Sequence, residues 1–251
     1  MIELNSPVWL TLDSASGGVG SLLDRLLRKE GDFRENMEAL SEELGHQLSY
    51  YSATAYALPH LAALCAGLPE EDQIFLIAQI GPAVAAEADQ PLEPASAAFQ
   101  EFQQGLEGLG PLTKRLAASP EAARLLAEDV ELGQQFALAA LSIVGDRRHA
   151  YGLYLLSSSC WEEGAVACEC GWEEETLPLA ERPDCLIPAS TGPWDGQFTG
   201  QEAAWLQGLL ALAGDDQISS ALPLVYGMGV CPDCGKREPF WNWLYRFLED
   251  C

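Results

Sequence analysis

Eight cysteines stand at positions 65, 160, 168, 170, 185, 231, 234 and 251. Four of them fall into two short runs that end in glycine. Cys231-Pro-Asp-Cys234-Gly235 has the form of a metal knuckle. One tight turn presents two sulfurs, and glycine supplies the left-handed backbone that the turn needs. Cys168-Glu-Cys170-Gly171 is a shorter version and the weaker half, in which Cys160 or Cys185 could replace one member. Together the two turns predict a structural zinc site of Cys168, Cys170, Cys231 and Cys234. Four thiolates close the tetrahedron and leave no position for water, so the chemistry expected is stabilisation and not catalysis. Unrelated buried thiols are the plain alternative. A Cys-Pro-x-Cys redox pair needs a strand before it and a helix after it, whereas Gly-Lys-Arg-Glu-Pro follows here. A zinc deaminase needs His-x-Glu ahead of Pro-Cys-x-x-Cys, and none of the three histidines is followed by that glutamate.

The elements that must carry these turns are mixed. Gly164 to Leu179 reads as a β-hairpin with Cys168–Gly171 near its tip, 182–200 as irregular chain, and 201–214 and 217–227 as helices. Pro239 to Asp250 closes with an aromatic helix. The expected role of the metal is to staple these last helices to the hairpin and cover the end of a helical stack.

Upstream, apolar residues recur at helical spacing from Ser21 to about Gly152. Leu22, Leu23, Leu26 and Leu27 open the first stripe, with Asp24 and Arg28 paired on its outer face. Asp32–Leu44 forms a second helix stopped at Gly45, and Tyr51–Gly67 a third, kinked at Pro59. Pro69 onward puts acids in the first turn of a partner helix. Residues 81–94 hold three prolines and read as a connector. Helical patterns resume at 95–108, 119–131, 132–144 and 147–158. The division expected is a helical repeat region over 1–156 and a zinc-binding hairpin with C-terminal helices over 157–251, packed on the same stack. Ala-Leu-Pro recurs inside helical patterns at 57–59 and 221–223, which suggests a mainly α fold, a HEAT-like α-solenoid of antiparallel helices.

The run His46-Gln-Leu-Ser-Tyr-Tyr-Ser-Ala-Thr-Ala-Tyr-Ala-Leu-Pro-His-Leu, with Gly17-Gly-Val-Gly-Ser-Leu-Leu-Asp-Arg-Leu-Leu before it, resembles a group of bacterial HEAT-like proteins. Those carry His-Gln, then Ala-Thr, then proline on the same kinked helix. The resemblance covers residues 9–84 well and the remainder in outline. It departs at Leu48, where those relatives often carry glycine, which puts the turn before the kinked helix in question. It implies a helical repeat fold, and some such proteins accompany toxin or secretion genes without a common activity.

Charge sets the remaining limits. The chain has 38 Asp and Glu against 13 Lys and Arg, a net charge of −25, which repels phosphate backbones and anionic lipid. Nucleic acid and membrane surfaces are thus poor partners, and a basic protein is a good one. No Lys or Arg occurs from Glu35 to Thr113 while 12 acids do, and Trp161–Glu181 holds seven glutamates and no base. A solvated face explains both runs without a partner; a docking surface for a basic protein explains them with one. Residues 1–10 offer no positive n-region, no stretch reaches the roughly 18 apolar residues of a membrane helix, and a cytoplasmic location is expected.

Three smaller candidates remain. Gly17-Gly-Val-Gly-Ser21 lacks the Gly-Lys-Ser/Thr ending of a phosphate loop, so a flexible helix entry capped by Ser21 is expected. His46 and His60, with Tyr50 and Tyr56, would line the groove of the stack if it were an enzyme; capping or core roles are the simpler assignment. Arg147-Arg148-His149 is expected to pair with acids on a neighbouring helix. The functional expectation is a protein-binding scaffold, with an immunity protein against a basic toxin as its concrete form. An enzyme with a groove site, and an assembly factor switched by zinc or thiol oxidation, are the alternatives.

Overall fold

Capping residues mark where helices begin. Asp32, Ser96, Ser119 and Asp129 each accept a hydrogen bond from the backbone N–H three residues on, which satisfies an amide the helix cannot. The computed structural model describes residues 1–45, 48–157, 165–175, 186–187, 208–209, 226–240 and 242–243. Among these, the first part of the chain forms α1 (Val19–Leu27), α2 (Phe33–Leu44), α3 (Ser52–Cys65), α4 (Glu70–Ala86), α5 (Ala97–Ala117), α6 (Pro120–Glu128), α7 (Val130–Val144) and α8 (Arg147–Ser157), after a 3-10 turn at Pro7–Thr11. The second part contributes β1 (Ala165–Ala167), β2 (Glu173–Glu175), β3 (Leu186–Ile187), β4 (Met228–Val230) and β5 (Arg237–Pro239). The chain divides into two units, Met1–Tyr151 and Gly152–Cys251. The expected helices at 201–214, 217–227 and 239–250 lie mostly outside the described residues, as does the second Ala-Leu-Pro.

In the first unit α4 lies at the centre. Its buried residues include Ile74, Phe75, Leu76, Ile77, Ile80 and Val84, which point in all directions around the helix, so it has to be enclosed. The broadest packing is of α4 on α7 and of α3 on α5, with α2, α3 and α6 completing the surround of α4. Consecutive helices such as α3 and α4 touch much less. The α3–α5 crossing is close because α5 carries glycine where it meets α3: a Cβ at Gly105 would stand 2.4 Å from Leu58 Cβ, and one at Gly108 2.8 Å from Ala62 Cβ.

Residues 81–94 differ from expectation. Instead of a connector from Gly81, α4 runs through Pro82 to Ala86. An internal proline costs about 3 kcal/mol, but burying Ile80 and Val84 returns about 3–6 kcal/mol, so packing overrides the local signal. For the same reason α5 continues past Gly108 and Pro111 to Ala117. Pro59 lies inside α3, as expected.

Two turns take left-handed backbone without glycine. Leu48, before α3, has φ +59°. Lys29 has φ +57° after α1, where its N–H reaches the Leu26 carbonyl (3.1 Å) and the Glu30 N–H reaches the Arg25 carbonyl (2.9 Å). That double bond is a helix ending that usually places glycine at Lys29's position.

The Gly17 loop wraps a carboxylate from its own chain. Glu43 of α2 accepts from Ser14 Oγ (2.9 Å), Ser16 N (2.9 Å), Gly17 N (3.1 Å), Gly18 N (3.2 Å) and Ser16 Oγ. Ser21 is not the cap: α1 begins behind Gly18, and the Ser21 hydroxyl donates back to the Gly18 carbonyl (2.8 Å). Burial disfavours the ionised carboxylate, but the hydrogen bonds from Ser16, Ser14 and Gly18 prevail and pull the Glu43 pKa from 4.5 to about 2.

Both turns can be tested by substitution. Lys29→Gly relieves the left-handed strain and should raise the urea midpoint of the helical signal, by about 0.5–1 kcal/mol of stability; an unchanged or lower midpoint would contradict the strain. Because its folded pKa is depressed, Glu43 stabilises the fold fully above pH 4.5, and this contribution is lost as pH falls towards 2. Glu43→Gln should therefore cost about 2 kcal/mol at neutral pH, with the gap between parent and variant closing between pH 4.5 and 2 in denaturation curves.

Candidate metal centre

In the second unit each pair of cysteines sits where a short hairpin turns. β1 and β2 are antiparallel, with Ala167 opposite Glu173, so Cys168–Trp172 spans the turn. β4 and β5 pair Val230 with Arg237, and Cys231–Lys236 spans theirs; β3 adds to β4 on its other edge. β3 falls within 182–200, expected to be irregular chain, β5 includes Pro239, expected to open the last helix, and β4 forms in 228–230, where no element is expected. Strands of two or three residues are too short for an alternating pattern to register.

The two turns close alike despite their different lengths. Cys168 N donates to the Trp172 carbonyl (2.8 Å) and Gly171 N to the Cys168 carbonyl (2.9 Å). Cys231 N donates to the Lys236 carbonyl (3.0 Å) and Gly235 N to the Cys231 carbonyl (2.9 Å). Gly171 (φ +89°) and Gly235 (φ +70°) take the left-handed backbone at matching places.

These turns bring the four predicted ligands together. The sulfurs of Cys168, Cys170, Cys231 and Cys234 all lie within 4.8 Å of one another, with Cys168 to Cys234 at 3.7 Å and Cys170 to Cys231 at 3.6 Å. Disulfide sulfurs would stand about 2.05 Å apart. Sulfurs bound at about 2.3 Å to one tetrahedral ion stand about 3.8 Å apart along each edge. The spacing therefore suits a single ion, and a cluster of several irons would spread some of the sulfurs wider. Cys160 and Cys185, the alternative ligands, lie outside the described residues, as does Cys251. Cys65 is buried in α3, in the other unit, where burial pushes its thiol up to about 12.

Backbone amides favour negative charge on one of the sulfurs, Cys231. At Cys231 burial opposes ionisation, but the amides of Cys234 and Asp233 and the Cys234 and Cys170 thiols bring the pKa down to about 7. At Cys168 burial dominates and lifts it to about 12, against one amide from Cys170. Four thiolates at this spacing repel one another, and a cation removes that cost while it takes their charge.

A shell of residues that the cysteine spacing does not reveal locks the two turns. Lys236 pairs with Glu169 of the first turn and with Glu238 of β5 (3.5 Å). Glu238, buried, accepts from Trp243 Nε1 (2.9 Å). Trp243 is fully buried over Gly229, where a Cβ would lie 2.7 Å from its ring, and its ring meets Trp172 edge-on at 5.2 Å. Glycine immediately before the Val-Cys of β4 is the one sequence signal that could have suggested an aromatic cover.

The other candidates are placed elsewhere. His60 sits in α3 with Nε2 2.8 Å from the Ile2 carbonyl and its ring beside Trp9 (6.1 Å); burial lowers its pKa, so the neutral ring donates and pins residues 1–3 to the core. His46 lies outside the described residues. Tyr50 packs edge-on against Phe102 (6.4 Å), and burial, then Glu87 and Tyr56, raises its pKa. Arg147 pairs with buried Glu87 at the end of α4 (2.8 Å) and covers the Phe102 ring at 5.4 Å, the expected kind of pairing, whereas Arg148 pairs with nearby Asp146 (3.1 Å). His149 also lies 3.6 Å from Asp146, and burial lowers its pKa to about 3.

No protein-family model, curated protein or solved structure matches the chain. No helix among the described residues is long and apolar enough to cross a membrane.

The geometry predicts one divalent ion per chain, measured by elemental analysis after dialysis, and a tetrahedral thiolate spectrum when cobalt is supplied instead. Cys231→Ser should abolish both and should also remove the near-ultraviolet signal of the Trp172–Trp243 pair, while the helical far-ultraviolet signal persists. A metal-free parent with the tryptophan signal intact would refute the assignment.

Proposed function

We propose that this protein is a zinc-stabilised acidic scaffold that binds a basic protein, with an immunity protein that neutralises a basic toxin as its concrete form. One observation carries the reading: 79 residues from Glu35 to Thr113 contain 12 acids and no base, and much of that charge is turned outward. Glu35, Glu38, Glu93 and Glu107 are exposed on or beside α2 and α5, where no ion pair neutralises them among the described residues. Glu43 and Glu87, by contrast, are buried and already satisfied by their own loop and by Arg147, so they belong to the fold. Exposed like charges raise a negative potential that speeds encounter with a cationic surface and repels nucleic acid and anionic membranes.

Zinc is the ion proposed for the centre, because four thiolates in tetrahedral array and no open position suit a structural zinc. A HEAT-like stack is the proposed description of the helical unit. It rests on the proline carried inside α3 and on the likeness over residues 9–84, from which Leu48 departs. A cytoplasmic location belongs to the same proposal, since free thiolates persist in a reducing compartment.

The test is salt. A basic protein that co-purifies with the tagged chain should bind with an affinity that falls steeply as ionic strength rises, because about 8–10 Å of screening removes long-range attraction. Changing Glu35, Glu38 and Glu107 together to lysine should weaken the complex without shifting the melting temperature by more than a few degrees. A salt-independent complex, or one indifferent to the triple substitution, would refute the electrostatic scaffold.

A further inference from the structure

A groove of about 240 Å³ opens on the helical unit, between the turn joining α1 to α2 and the turn joining α3 to α4. Its floor is apolar, built from Leu26, Phe33, Leu64 and Leu68. Its mouth carries both signs of charge: Lys29 on one hand, Glu30 and Asp72 on the other. These three groups form no ion pair among the described residues, although they border the same opening.

Two further observations set this groove apart from an ordinary surface dimple. Lys29 holds its place at φ +57°, in a helix ending where glycine would sit without strain, and strained non-glycine backbone is characteristically kept where a side chain has a use. Asn36, only 4% exposed, lines the groove. Its amide nitrogen is committed to the Glu30 carbonyl (2.7 Å), which leaves the amide oxygen as an acceptor with no protein partner among the described residues.

Size and chemistry then define the ligand. Sites for drug-sized molecules run to about 300–1,000 Å³, so this groove suits something smaller. An apolar floor asks for a hydrocarbon side chain. Lys29 answers a carboxylate, while Asp72, Glu30 and the Asn36 oxygen answer an ammonium. A ligand with only one charge would leave half of the mouth unanswered, and a purely cationic segment would meet Lys29. We infer that the groove binds a small zwitterion with an apolar side chain, an α-amino acid of the leucine or phenylalanine class. The site uses neither the cysteine centre nor the exposed acids of α5.

Titration calorimetry of the full chain with L-leucine and L-phenylalanine tests it, alongside 3-methylbutylamine and 4-methylpentanoate, which each keep the leucine side chain and one of its two charges. The amino acid should bind saturably, and each single-charge analogue should bind about tenfold more weakly, the loss expected for one charge-assisted hydrogen bond. Lys29→Gly, a variant relieved of the left-handed strain, should reduce leucine to the affinity of the amine. Asp72→Asn should reduce it to that of the carboxylate. Thermal melts of both variants confirm that they fold. No saturable binding by either amino acid, equal binding by an analogue, or unchanged affinity in both folded variants would overturn the inference.

Discussion

The helical unit depends on the enclosure of α4. A helix with apolar side chains on every face has no side to turn to water, so it forms only when other helices surround it. α7 does so most broadly, with α2, α3 and α6 also around α4, and α3 lies on α5 through a crossing that glycine makes close. That demand explains features that local preference argues against. Proline is carried inside α3, α4 and α5, and in α4 the burial recovered exceeds the hydrogen bond lost. It also explains the polar contacts at the helix ends: Gln73 donates to the Cys65 carbonyl (2.8 Å) at the end of α3, and Thr54 to the Leu44 carbonyl (2.7 Å) at the end of α2. Carbonyls freed by a helix end near the core must be met by side chains, since water cannot reach them.

The second unit solves the opposite problem. Its described strands are two or three residues long, too short to bury a core by themselves. Four sulfurs from two hairpin turns lie within bonding reach of one ion, and such an ion would supply a cross-link that apolar area does not. The Lys236–Glu169 pair, the Trp243–Glu238 hydrogen bond and the Trp172–Trp243 contact are arranged around that cross-link. An ion held by the four sulfurs would sit inside this polar and aromatic collar.

The excess of negative charge is put to three uses. Some carboxylates are internal fasteners: Glu43 gathers the Ser14–Gly18 loop, and Glu87 holds Arg147 to the end of α4. Others bridge helices at the surface, as Glu70 does with Arg115 and Glu71 with Arg34. Those left exposed give the surface its sign. A net charge alone does not distinguish these classes, and only the last is available to a partner.

By itself the amino-acid sequence determined those features that obey local rules. Caps at Asp32 and Ser119, the Asp24–Arg28 pair and the pairing of two cysteines within each turn rest on spacings of two to five residues along the chain, which backbone geometry alone converts into proximity; that the two turns, 61 to 66 residues apart, bring their sulfurs together is a tertiary outcome. The spacing of Cys168 and Cys170, one residue shorter than the usual knuckle, still sufficed because the glycine after each pair permits the same turn. Other features only the tertiary structure decided. That α4 passes through Pro82, that the Gly17 loop holds a glutamate from α2, that Trp243 roofs Gly229, and that Lys29, Asn36 and Asp72 meet at one groove depend on which distant segments come to lie side by side. Spacing along the chain settles what a residue can do to its near neighbours; only packing, which balances the burial of one segment against the strain in another, settles which remote residues it meets.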